Sequence, residues 1–250
     1  MMILRIIWSI WAIPWVVLDT FVLSLLVILG GLFGASDKAL QPLAAFWGRA
    51  WLAGIGCRVK VNGLSNLEAG KPYVFACNHS SALDIPVLFR ALPSNFRWIA
   101  KAELFRIPLF GKAMRAAGYI PMDRSNRRAS MQSLADASAR IKAGASVVIF
   151  PEGTRSQDGK LGEFKSGGFL LALKAEQPVV PTLISGANEV LPPKMIWMRP
   201  GHIEVNIGTP LPVAQLDIKQ RDQLAVTVRD ELLKLAAQRN AQKAPSVVES

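Results

Sequence analysis

Cysteine, histidine and acidic side chains are all scarce in this chain of 250 residues. Two cysteines, Cys57 and Cys77, cannot build a disulfide framework, and they read as reduced thiols within strands. Two cysteines and two histidines supply a transition-metal site poorly, so no metal is expected. Charged residues make up 19% of the chain, against about 25% in ordinary soluble domains. The shortfall is on the acidic side: 18 acidic against 29 basic residues give a net charge of +11. That balance suits anionic partners such as acidic lipid headgroups, phosphorylated cofactors or an acidic carrier protein. It does not by itself indicate nucleic acid. No five basic residues run together, no zinc-finger spacing is present and there is little interleaving of aromatics with the basic residues. A Gly-x-Ser-x-Gly elbow and a Gly-x-x-x-x-Gly-Lys-Ser/Thr phosphate loop are both missing, which argues against a serine hydrolase of that architecture and a P-loop nucleotidase.

What the chain does have is apolar residues, 51% of the total, with most of the excess in the first 35 positions. Across residues 3–33 the only ionisable side chains are Arg5 and Asp19. The stretch exceeds the roughly 20 residues that cross a bilayer as a helix. It is too long for a signal-peptide core, and no small-x-small cleavage site follows a short apolar run. Pro14 interrupts helical hydrogen bonding and Asp19 is expensive in mid-membrane. Two arrangements follow: one long tilted span, or a pair of helices lying in one leaflet. A second apolar stretch, residues 40–55, carries Phe46, Trp47 and Trp51 with Arg49 as its only charge. It suits the headgroup boundary or, equally, a core helix. Positive charge dominates afterwards, which puts the remainder on the cytoplasmic side, at a bacterial inner membrane.

Beyond residue 56, short apolar runs alternate with amphipathic ones. Strands are expected at 57–61, 73–77, 97–100, 119–122, 146–150, 179–185 and 203–207. Helices are expected at 85–92, 126–143 (Met131, Leu134, Ser138 and Ile141 on one face), 167–176 and 222–238. This is an α/β pattern: a central, mostly buried sheet flanked by helices and preceded by N-terminal hydrophobic membrane helices. The expected organisation is a membrane-associated helical segment (1–55), a catalytic domain (56–238) and a flexible tail (239–250). No internal repeat or low-complexity tract is present.

Three blocks carry chemistry, each where a strand runs into a polar turn. The first is Tyr73-Val-Phe-Ala-Cys-Asn-His79, followed by Ser-Ser-Ala-Leu-Asp84, Ile85 and Pro86. Ligands in α/β sheets gather at the carboxyl ends of strands, and Pro86 fits the first turn of a helix. Five residues apart on a regular helix, His79 and Asp84 would lie about 140° apart. Across a turn they can meet, and an imidazole held by a carboxylate is a general base for a hydroxyl. Taken alone, such a pair is more often a structural hydrogen bond. The second block is Gly118-Tyr-Ile-Pro-Met-Asp-Arg124. The third is Phe150-Pro-Glu-Gly-Thr-Arg-Ser156, in which Gly153 permits close backbone approach, Arg155 offers a planar fork for phosphate and Glu152 is an acceptor. Alone, the third block reads equally as a surface turn with a Glu152–Arg155 ion pair. His202, after Pro200-Gly201, reads as a loop residue without a role.

In this order and spacing the blocks resemble the glycerolipid acyltransferase family, and its lysophosphatidate acyltransferase branch in particular. His79 and Asp84 match its first motif, the stretch ending at Arg124 its second, and the stretch from Phe150 to Ser156 its third. Val180-Pro181 through Gly186 is similar to its fourth. Lys101-Ala-Glu-Leu104 with Pro108 and Gly111, and Phe164-Lys165-Ser-Gly167, are further landmarks, so the likeness covers roughly residues 55–210. Pro121 departs from the pattern, which usually has a bulky apolar residue there. The resemblance implies His79 as general base, Asp84 as its orienting partner, and Arg124, Glu152, Gly153 and Arg155 as the glycerol-phosphate site. It implies a donor-pocket role for Pro181 and an oxyanion role for Lys101. It further implies acyl-coenzyme A or acyl carrier protein as co-substrate, no cofactor, a lysophospholipid acceptor and attachment to a membrane. Alternatives are another acceptor (a lyso-ornithine lipid or glycerol 3-phosphate) or a non-catalytic lipid-binding protein.

Overall fold

A computed structural model describes residues 2–93, 95–123 and 127–243. The chain opens with α1 (Met2–Leu32), a single helix despite Pro14, and α2 (Asp37–Gly54). Ser36 caps α2, its hydroxyl accepting from the Ala39 N–H at 3.2 Å. Three tryptophans at helical spacing bind the two helices together. The indoles of Trp8, Trp11 and Trp15 donate to the carbonyls of Ile55, Gly54 and Ala50, so two acceptors at the end of α2 gain partners from α1. A side chain at Gly54 would collide with the Trp15 ring, so glycine is what lets the helices approach there.

A seven-stranded sheet follows, made of β1 (Cys57–Asn62), β2 (Val74–Cys77), β3 (Phe96–Lys101), β4 (Ile120–Met122), β5 (Ser146–Ile149), β6 (Val179–Ser185) and β7 (Gly201–Ile207). Its order is β1-β7-β6-β2-β5-β3-β4. All neighbours are parallel except β6 and β7. The helices between them are α3 (Asp84–Ala91), α4 (Phe110–Ala116), α5 (Arg127–Lys142), α6 (Leu170–Ala175), the single turn α7 (Ala187–Val190) and α8 (Arg221–Lys243). The central strands β2 and β5 are buried at every residue, as strands covered on both faces must be. Tyr73, Phe75 and Cys77 face a core shared with α1–α4, while Val74 and Ala76 face the core of α5, α6 and α8.

Several expectations are corrected. The division at residue 55 is not a domain boundary: Leu40, Ala44, Ala45, Leu52 and Ile55 are buried in the same core as Phe75 and Leu88. The apolar face of α2 packs on α3, which makes it the core helix of the two alternatives. Met131 is exposed, because α5 turns Leu134, Ala137 and Ile141 inward instead. The helix expected at 167–176 begins as a 3-10 turn and becomes α-helical at Leu170. His202 lies in β7, not in a loop. The tail expected from residue 239 is helical to Lys243, with the Arg239 Nε held by Glu204 at 3.1 Å. Pro121 fits because β4 is an edge strand, where a missing N–H costs no ladder bond.

Candidate active site

Strand β2 ends at Cys77, and the next residue clamps the sheet. The buried Asn78 side chain donates to the Ile184 carbonyl at 2.9 Å and accepts from the Ile184 N–H at 2.7 Å, locking the end of β2 to β6. His79 emerges from this fixed point. Its Nδ1 lies 2.7 Å from Asp84 Oδ2 at the start of α3. The same carboxylate oxygen accepts from the backbone N–H groups of Ser80 (2.8 Å) and Ser81 (3.0 Å). Asp84 is fully buried, whereas the His79 side chain remains 19% exposed. With Asp84 accepting a hydrogen bond from Nδ1–H, Nε2 is the ring's free acceptor. The imidazole also stacks on Phe150, with centroids 4.1 Å apart. One side of the ring is therefore held by charge and one face by packing.

The third sequence block wraps round this pair. Gly153 closes a turn on Phe150 in a left-handed conformation (φ 80°) that favours glycine. Glu152 points inward. Its Oε1 accepts from the His79 N–H at 2.8 Å and its Oε2 from the Gly162 N–H at 3.2 Å. Burial pushes its carboxyl up from the ordinary range, and these two N–H bonds partly oppose the shift. The Ser156 N–H returns to the His79 carbonyl at 2.8 Å. Glu152 is therefore built into the support of His79 through both of its oxygens, and forms no ion pair with Arg155. Its replacement by alanine leaves two backbone donors without their acceptor, at an expected cost of about 1–3 kcal/mol. Thermal unfolding in detergent measures this, and an unchanged midpoint would mean that the bonds carry no weight.

The other expected residues are placed as follows. Arg155 is exposed at the rim of the same turn. Pro181 is buried in β6, in register with Ala76 of β2, and supports the sheet below Asn78. Lys101 ends β3 with its side chain 71% exposed and paired to Glu103 at 3.0 Å; no hydrogen bond or ion pair joins it to His79 or Asp84. Arg124 lies outside the described residues. Among those described, no three His, Cys, Asp or Glu side chains converge as a metal site. Sequence reasoning missed Asn78, Phe150 and Ser81, whose hydroxyl donates to the Leu191 carbonyl at 2.7 Å. A polar residue directly after a buried strand, as Asn78 is, was the one available sign.

The chain is similar to known acyltransferases. The acyltransferase family model matches residues 58–185. A chloroplastic 1-acyl-sn-glycerol-3-phosphate acyltransferase of Arabidopsis thaliana is 37% identical over 163 residues, 64% of this chain and 46% of that protein. A 1-acyl-sn-glycerol-3-phosphate acyltransferase of Chlamydomonas reinhardtii is 34% identical over 220 residues, 84% of this chain and 65% of that protein. The human alpha form is 32% identical over 179 residues, covering 71% and 63%. The chain thus spans about half to two thirds of the length of these relatives. The crystal structure of the 1-acyl-sn-glycerophosphate acyltransferase PlsC of Thermotoga maritima superposes with a TM-score of 0.79 over 95% of this chain and 97% of that one. At 21% identity, that likeness speaks for the fold.

Proposed function

Because the chain belongs to the acyltransferase family, we propose that it moves a fatty acyl group from a thioester donor to the sn-2 hydroxyl of lysophosphatidic acid, giving phosphatidic acid. The observation that carries this is the buried Asp84 carboxylate 2.7 Å from His79 Nδ1 at the end of β2. The acceptor hydroxyl is a poor nucleophile at neutral pH. His79 Nε2 takes its proton as the oxygen attacks the thioester carbonyl, while Asp84 stabilises the imidazolium. The tetrahedral intermediate collapses, the C–S bond breaks and the departing thiolate recovers the proton from His79. No covalent acyl-enzyme and no resident cofactor are called for. The donor is acyl-coenzyme A or acyl carrier protein, whose acidity suits a chain of net charge +11.

Arg155 and Gly153 receive the acceptor phosphate, Glu152 shapes the turn that presents them, and Arg124 is assigned to the same group from its sequence motif alone. Arg155→Ala is expected to raise KM for the lysolipid and to lower kcat about tenfold or more, because anchoring holds the hydroxyl within reach of the base. Steady-state kinetics test this, and an unchanged KM would remove Arg155 from the site. Lys101, turned toward Glu103, is the weaker oxyanion candidate, and Pro181 acts through the sheet.

We further propose that α1 lies in one leaflet on the cytoplasmic side. It is long and apolar enough to cross a membrane. At about 46 Å, however, it runs along the domain from Arg5, bound to the 189–197 region, to Gly31 beside Ala116 of α4. A perpendicular span would drag the sheet into the bilayer. The deciding experiment is a panel of lysolipids and glycerol 3-phosphate with labelled acyl-coenzyme A and acyl carrier protein, run on wild type and a His79 variant. Equal activity with a phosphate-free acceptor would overturn the phosphate assignment.

A further inference from the structure

A loop on the sheet's α1 side remains without a role in the chemistry. Residues 191–198 form a closed excursion whose base is sealed by the Arg199 N–H donating to the Val190 carbonyl at 3.1 Å. Pro192 and Met195 close a turn at 3.2 Å with Lys194 at φ 62°, a position where glycine or asparagine is usual. That turn throws Met195 and Ile196 outward, 42% and 61% exposed, while Met198 three residues on is buried. The loop is not loose. The Arg5 guanidinium donates to the carbonyls of Glu189, Val190 and Trp197 at 2.6, 3.0 and 3.3 Å. Ser9 exchanges hydrogen bonds with both backbone groups of Met198.

Two observations say what covers this tip. First, those bonds fix it against the opening turns of α1, whose outward face exposes Ile3, Leu4 and Ile7, so the tip stands beside the helix read as lying in the membrane. Second, the tip itself carries Lys194 and no acidic residue, while Arg5 and Arg199 stand at its base, Arg199 paired with Glu189 at 3.2 Å. An apolar tip flanked by cations matches an anionic lipid interface.

We infer that residues 191–198 are a second membrane-docking element, which inserts Met195 and Ile196 among the headgroups of an anionic bilayer beside α1. The inference rests on the membrane reading of α1 given above. It has a consequence for catalysis. Ser81 donates to Leu191 at the foot of the loop, accepts from the Leu83 N–H, and gives its own N–H to Asp84. The foot of the loop at Leu191 is therefore two hydrogen bonds from the catalytic carboxylate, and docking of the tip sets the height of His79 above the lipid surface.

The test uses the full chain with Cys57→Ser and Ile196→Cys, Cys77 being wholly buried, labelled with nitrobenzoxadiazole. Met195→Cys reads the same surface should that variant not fold. Val226→Cys on α8, exposed on the opposite side of the sheet, is the control. In vesicles of phosphatidylethanolamine and phosphatidylglycerol, the label at 196 is expected to brighten, shift to the blue and be quenched by lipid chains brominated near the carbonyl; the label at 226 is not. A wet label at 196 on vesicle-bound protein overturns the inference. So does a blue shift without bromine quenching, which would mean a protein contact. Failure to bind vesicles overturns it together with the membrane reading. Quenching at 196 in a chain that transfers no acyl group leaves it standing and sinks the proposed reaction alone. Ile196→Asp is expected to lower turnover of vesicle-borne acceptor about tenfold, from the lost burial of one aliphatic side chain, while sparing a short-chain soluble acceptor. An equal loss on both acceptors also overturns it.

Discussion

His79→Ala is expected to lower kcat by about 10²–10⁴, the usual worth of a positioned base, with much less effect on KM. The structure gives this expectation its sharpness. The His79 backbone N–H and carbonyl are bonded to Glu152 and Ser156, so losing the imidazole leaves the turn in place. The loss should therefore appear in chemistry rather than in folding, and the unfolding midpoint should barely move. Asp84→Asn supplies the companion. All three bonds fall on Asp84 Oδ2, so asparagine can keep them only by placing its amide oxygen there, which preserves the tautomer but removes the negative charge that stabilises the imidazolium. Its kcat should fall on the order of 10²–10⁴ as well, and the double variant should be little worse than either alone, since the two act as one unit. Losses that multiply in the double variant would mean that the pair does not act together. Near-normal turnover in His79→Ala would end the mechanism.

The pair was legible because its chemistry is local: a strand end, five residues of turn, and a helix start with Pro86 in its first turn. The sheet was legible for a similar reason, since strands covered on both faces read as largely apolar runs, as in Val74–Cys77 and, with Thr182 as their one buried polar residue, residues 179–184. What stayed hidden depends on residues far apart in the chain. Asn78 and Ile184 are 106 positions apart, and Arg5 reaches carbonyls more than 180 positions away. Glu152 illustrates the intermediate case. Its place in the motif was readable, but the inward turn of its carboxylate depends on Gly162, whose N–H arrives from the following loop. The tryptophans of α1 were hidden differently. In a helix apolar on every side, periodicity cannot show which face meets the protein, and only the carbonyls at the end of α2 pick out Trp8, Trp11 and Trp15.

That packing predicts the fate of a truncated chain. Residues 56–250 expressed alone are expected to aggregate and to show no cooperative unfolding, rather than to yield a soluble enzyme. The deleted segment contributes Leu40, Leu52 and Ile55 to the core, each at most 3% exposed. Truncating one such side chain to alanine costs about 2–5 kcal/mol. Three together rival a whole domain's stability of about 5–15 kcal/mol, before counting the faces of α3 and α4 that would be laid bare. Removing α1 alone is milder, since the face it lends the core is mainly Ala12, Leu23 and Val27 together with the tryptophan contacts. Circular dichroism and sedimentation of the two truncations, expressed side by side, separate the cases. A monomeric 56–250 fragment with cooperative melting and full turnover would show that α2 is only an anchor. Recovery of fold in the α1 deletion but not in the longer one would assign α2 to the catalytic domain and leave membrane attachment to α1 and the surface beside it.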